Sequence, residues 1–211
     1  AQNLFVALVG ERFDGHRFVA AAAEKGAAAA VVARGAELPP LPAGFGVVEV
    51  DDTLAALGAL ARTHRRRFPR LKVAAVTGSN GKTTTKELAA AAFAAAFGET
   101  LATEGNLNNE IGVPLTLLRL SAAHEAAVVE MGMNHPGEIA HLTAIAEPNA
   151  GLVTCAQPVH LEGLGSVEAV AKAKGELYHG LPEGAVAVAN LDDPRTTAEA
   201  RASGRAIVAY G

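Results

Sequence analysis

The run Thr77-Gly78-Ser79-Asn80-Gly81-Lys82-Thr83-Thr84-Thr85 carries the clearest chemistry in the chain. Gly78 and Gly81 let the backbone approach an anion closely, and a helix opening at Lys82 would aim its N-terminal N–H groups at it. Lys82 adds a mobile positive charge, and the Thr83 hydroxyl can ligate magnesium. Such loops usually carry a glycine five positions before the second one; here that position is Val76, so the loop is a shorter variant. A glycine turn that merely happens to precede a lysine would not need a buried strand, Lys72 to Thr77, running straight into it. Binding of nucleotide phosphate by Thr77, Gly78, Ser79, Asn80, Gly81, Lys82, Thr83 and Thr84 is the expectation.

Other candidates are less specific by themselves. Glu130 ends the apolar run Ala126-Ala127-Val128-Val129, and ligands of open parallel sheets sit beyond the carboxyl ends of strands. It reads as a magnesium ligand or as a solvated strand-end acid, and the phosphate loop favours the first. The segment Glu104 to Glu110 holds Asn106, Asn108 and Asn109, which serve turns as readily as hydrogen bonds to a nucleotide. A loop histidine such as His160 is more often structural than a ligand. Lys174, on a helix expected from Val167 to Gly180, reads as a solvated helix residue. Cys155, the single cysteine, reads as a buried, inert thiol at a strand end and points to a reducing compartment.

These groups need a scaffold that delivers strand ends to one side. Short apolar runs alternate with longer alanine-rich amphipathic segments, the pattern of α/β architecture with a mainly parallel sheet. Strands are expected at Leu4–Val9, Ala30–Val32, Val47–Val50, Lys72–Thr77, Ala126–Glu130, Gly151–Thr154, Ala185–Ala189 and Ala206–Ala209. Helices are expected over His16–Lys25 and from an Asp52 N-cap to about Phe68. The basic cluster from Arg62 to Arg70 reads as a solvated helix end and marks a boundary between domains 1–70 and 71–211. With 211 residues, 50% hydrophobic and 19% charged, a folded core is assured. A net charge of −4 argues against a nucleic-acid binder. No apolar stretch is long enough for a membrane span, and the cytoplasm is the expected compartment.

The strings TGSNGKTTT, GNLNNEIGVPLTLL, EMGMNHPGEI, HLEGLGS and AKAKGELYHGLP resemble the central domain of the Mur ligase family. The closest resemblance is to the branch that joins D-alanyl-D-alanine to UDP-MurNAc-tripeptide in cell-wall precursor synthesis. The opening stretch from Leu4 to Val32 resembles the small α/β UDP-binding domain of that branch. Phosphate loops of this kind are shared with other Mur ligases and with folylpolyglutamate synthases, which lack a UDP-binding domain ahead of the loop. A non-catalytic nucleotide-binding remnant is the alternative from another class. The resemblance implies ATP and magnesium as cofactors, an acyl-phosphate intermediate, and Lys82, Glu130, His160 and Lys174 as the catalytic set. Thr83, Glu130, His160 and Lys174 would serve magnesium, Lys174 as a carbamate, and Asn109 would line the nucleotide site. Phe13, Asp14, Gly15 and His16 match a motif near the UDP-sugar. The resemblance also implies a Ser-Arg segment before Ala1, and the rest of the central domain and a third domain after Gly211. On that basis this chain alone is expected to bind nucleotide weakly and not to turn over.

Overall fold

The computed structural model describes residues 3–10, 12–158 and 165–211. It divides into two compact units, Ala1–Ala59 and Leu60–Gly211.

In the first unit, β1 (Asn3–Val6), β2 (Ala27–Ala33) and β3 (Gly46–Val50) form a parallel sheet in that order. The strand expected from Leu4 to Val9 stops at Val6, and Val9 makes only an isolated antiparallel bridge to Asp14. At the strand end the Leu8 N–H donates to the Val6 carbonyl at 3.0 Å, turning the chain out of the sheet. Farther on, the Asp14 carboxylate accepts from the His16 backbone N–H at 3.0 Å and meets His16 Nδ1 at 2.6 Å. The helix expected at His16 therefore opens as a 3-10 turn, Gly15–Phe18, and becomes α-helical only over Val19–Glu24 (α1). His16 Nε2 accepts the Ala33 N–H at 2.8 Å, which leaves the ring proton on Nδ1 facing Asp14. Ala7, Val19, Ala30 and Val32 form the small core beneath.

Helix α2 (Thr53–Arg66) opens on the expected cap: Asp52 Oδ1 accepts from the N–H groups of Leu54 and Ala55 at 2.8 and 3.0 Å. Its last turns belong to the second unit. That unit continues with β4 (Lys72–Thr77), α3 (Lys82–Phe97), β5 (Thr100–Ala102), α4 (Gly112–Leu117) and β6 (Ala126–Glu130). After these come α5 (Glu138–Ala146), β7 (Ala150–Val153), α6 (Val167–Gly180), β8 (Val186–Asn190), α7 (Pro194–Ala202) and β9 (Ala206–Tyr210). The six strands lie in the order β5-β6-β4-β7-β8-β9, every neighbouring pair parallel. β6 is buried at every position, as a parallel strand covered on both faces must be. The core gathers Val73, Val129, Met131, Leu142, Leu177 and Tyr178, each apolar side chain contributing about 1.5–3 kcal/mol. Because β4 lies between β6 and β7, the ends of these three strands stand side by side.

The arginine cluster is exposed as expected at Arg62, Arg66, Arg67 and Arg70, and Arg65 is the exception. Arg62 and Arg66 both reach the Glu147 carboxylate, and Arg65 is 6% exposed. Its guanidinium donates to the carbonyls of Ala146, Phe68 and Glu147 at 3.1, 2.9 and 3.3 Å, closing the C-terminus of α5. These bonds belong to the second compact unit, which begins inside α2 at Leu60. Replacing Arg65 by Met keeps the apolar stem but takes the donor from the carbonyls of Ala146 and Glu147, while the Phe68 carbonyl keeps the Leu71 N–H at 3.2 Å. We expect a loss of about 2–3 kcal/mol in denaturant unfolding, against less than about 1 kcal/mol for Arg62→Ala, a half-exposed surface partner. Equal effects of the two would show that Arg65 is not the anchor.

Candidate active site

The phosphate loop spans the four residues between β4 and α3. Gly81 holds the N-cap position at φ 77°, in the left-handed region, and no side chain caps the helix. The first-turn N–H groups of α3 therefore stay available to an anion. Gly78 has φ 147°, and a Cβ there would lie 1.8 Å from Thr154 Oγ1, so the close approach requires glycine. Lys82 Nζ donates to the Gly78 carbonyl at 2.9 Å. Thr77 Oγ1 is buried with no hydrogen-bond partner among the described residues. Thr84 is exposed on the first turn of α3.

The structure brings Glu130 to this loop. Val76 and Glu130 are register partners on β4 and β6, and Thr83 Oγ1 donates to Glu130 Oε2 at 3.0 Å. Asn108 Nδ2 donates to the other oxygen, Oε1, at 2.8 Å. Glu130 is 2% exposed, and a carboxylate so buried needs these donors. Asn109 divides its tasks: Oδ1 accepts from Ile111 and Gly112 at the start of α4, at 3.2 and 2.8 Å, and the side chain also lines the cleft. Thr83 and Glu130 supply oxygen donors only. That set fits magnesium, which usually takes one or two protein oxygens and completes its shell with phosphate and water.

A cleft of about 260 Å³ opens here, lined by Gly78, Lys82, Asn108, Asn109, Glu138 and Lys174 among others. Lys174 is not a solvated helix residue. It is 2% exposed, with no hydrogen-bond partner among the described residues. Burial, reinforced by the like charge of Lys82, pulls its ammonium pKa down to about 8. His160 lies outside the described residues. Cys155 is half-buried rather than buried, because it follows β7 on the side of the phosphate loop, where its carbonyl accepts from Ser79 N–H at 2.9 Å.

The groups that hold the loop escaped the reading of the sequence. Thr154 Oγ1 donates to the Asn80 carbonyl at 2.5 Å, Gln157 N–H to Ser79 Oγ at 2.9 Å, and Asn80 Nδ2 to Gln157 Oε1. Residues 154–157 are gripped in turn from β8 and α7. Asn190 Nδ2 donates to the Thr154 carbonyl at 2.8 Å, and Asp193 Oδ2 accepts the Ala156 N–H at 2.6 Å. Asp193 Oδ1 meanwhile caps α7 by accepting from Arg195 and Thr196. An Asp-Pro pair signals the helix start in sequence; its second grip does not. Asp193→Ala is expected to weaken ADP binding about tenfold and to lower the melting temperature, measured by calorimetry beside an Asp192→Ala control that does neither. Unchanged affinity would remove Asp193 from the support of the loop.

Residues 76–211 match the Mur ligase middle domain, and residues 1–65 match the catalytic-domain model of the Mur ligase family. The chain is 49% identical over 190 residues to the UDP-N-acetylmuramoyl-tripeptide–D-alanyl-D-alanine ligase of Escherichia coli, covering 90% of this chain and 40% of that protein. The crystal structure of MurF from Acinetobacter baumannii superimposes with a TM-score of 0.90 at 37% identity, over 100% of this chain and 46% of that one. MurF ligase from Thermotoga maritima in complex with ADP gives 0.85 at 35% identity, over 100% and 47%. The chain thus spans less than half the length of these relatives. With both of its segments matched and its fold shared from end to end, the chain belongs to the Mur ligase family.

Proposed function

We propose that this chain forms the UDP-precursor-binding and ATP-binding parts of an ATP-dependent ligase that joins D-alanyl-D-alanine to UDP-MurNAc-tripeptide. The observation that carries the reading is the meeting of Thr83 and Glu130 at 3.0 Å beside the phosphate loop, whose Gly78, Ser79 and Lys82 share a cleft with the buried Lys174. The relatives and their ADP complex support it. In this reading the terminal carboxylate of the tripeptide takes the γ-phosphoryl group of ATP, giving an acyl phosphate and ADP. The amine of D-alanyl-D-alanine then adds to the acyl carbon, and the tetrahedral intermediate collapses to the amide with release of phosphate.

Positioning and electrostatics do most of the work in such a transfer. The N–H groups of the loop and the α3 N-terminus hold the phosphates, and Lys82 exchanges the Gly78 carbonyl for a phosphate oxygen. Thr83 and Glu130 would hold magnesium, which when bound offsets negative charge on the phosphoryl oxygens. The remaining candidates, Thr77, Ser79, Asn80, Thr84 and Asn109, line or shape the nucleotide site. Lys174 suits carbamylation: its neutral amine attacks carbon dioxide, an N–C bond forms and one proton leaves, so a buried cation becomes an anion able to serve a second ion with His160. With a pKa near 8, about a quarter of the amine is neutral at about pH 7.5, against roughly one in a thousand for an ordinary lysine. No helix among the described residues is long and apolar enough to cross a membrane; with soluble nucleotide substrates, the cytoplasm is the proposed compartment.

Two measurements test this. In calorimetric titration the chain should bind UDP-MurNAc-tripeptide saturably and a folate substrate not at all; the reverse would move it to the folate ligases. With carbon-13 bicarbonate, wild type should show a carbamate resonance that Lys174→Arg lacks and that fades as pH falls through about 8. A resonance surviving in Lys174→Arg would sink the carbamate assignment.

A further inference from the structure

Glu130 presents two oxygens to two different neighbours. Oε2 takes the Thr83 hydroxyl and Oε1 the Asn108 amide, at 3.0 and 2.8 Å. Its backbone is fixed as well, since Glu130 N–H donates to Thr103 Oγ1 at 2.9 Å. A carboxylate turns about its last bond between two broad, equivalent positions, so its plane is set by whatever donates to it. Asn108 is itself anchored, because its carbonyl accepts the Gly132 N–H at 2.7 Å. The side chain leaves no room beyond it: a Cβ on Gly132 would lie 3.0 Å from Asn108 Cγ and Oδ1 and 3.2 Å from Nδ2. Only the amide nitrogen can face Glu130 as a donor, so the direction of the bond is unambiguous.

We propose that Asn108 is a positioning residue for magnesium binding: its amide occupies Glu130 Oε1 and thereby turns Oε2 toward Thr83 and the phosphate loop. The inference rests on the reading of Thr83 and Glu130 as the magnesium pair. Groups that orient a metal-binding carboxylate are worth about 10–100-fold in metal affinity. Gly132 takes part from the opposite side, as the residue whose missing side chain lets the amide sit where it does.

The test is ADP binding to this chain by calorimetry across a magnesium series, with metal-free ADP affinity and melting temperature measured in parallel. Asn108→Leu keeps the bulk and removes the donor; Gly132→Ala keeps the donor and crowds it. Both variants should raise the half-saturating magnesium concentration tenfold or more, a larger change than either makes in metal-free ADP affinity. Should Asn108→Leu not fold, Gly132→Ala decides alone. A parallel fall in metal-free and magnesium-supported binding with a lowered melting temperature would reduce Asn108 to a structural residue and overturn the proposal. Unchanged magnesium dependence in folded variants would overturn it too, leaving the magnesium pair intact. Wild-type ADP binding that ignores magnesium would overturn both the pair and its positioning residue.

Discussion

The parallel pairing of β4 between β6 and β7 is the constraint on which the second unit depends. It sets Val76 opposite Glu130 and Thr77 opposite Val153, so one strand end feeds the phosphate loop while its neighbours supply an acid and a brace. A slip of one residue would send every side chain of the strand to the other face. It would replace Glu130 by an apolar neighbour at the cleft and break the Thr154 bond to the loop. Helices α3, α5, α6 and α7 cover the sheet, and the strands beneath are buried enough to make that slip costly.

Burial then gives the site its electrical character. Glu130 and Lys174 are both nearly inaccessible, yet the site treats them oppositely. The acid receives two neutral donors and stays ready for a cation; the amine receives none among the described residues and is pushed toward its neutral form. Two groups of opposite ordinary charge are thus prepared without being paired with each other. A direct ion pair would satisfy both and leave neither to act.

Much of this was legible in the chain because its causes are local. The phosphate loop, the Asp52 cap and the strand ending at Glu130 each depend on a few consecutive residues. What stayed hidden depends on distance. Thr83 and Glu130 lie 47 positions apart, and Asp193 grips Ala156 across 37. The burial of Lys174 follows from the packing of α6, which its helical spacing alone does not reveal. Arg65 looks like part of a solvated end until the end of α5 supplies the carbonyls of Ala146 and Glu147. The Asp14 cap opened the first helix as a 3-10 turn where the hydrophobic pattern alone read an α-helix. In the first unit Asp14 and His16 are committed to one another.

The last strand, β9, carries a different implication. All five of its residues are exposed, Val208 at 57% and Tyr210 at 41%, and it forms one border of the six-stranded sheet. Its outer row of backbone donors and acceptors is a template on which a sheet can keep growing. Any extended segment of suitable register can be recruited there. A further parallel strand laid beside β9 would find its hydrogen-bonding partners already in place, so the sheet is built to be continued from this border.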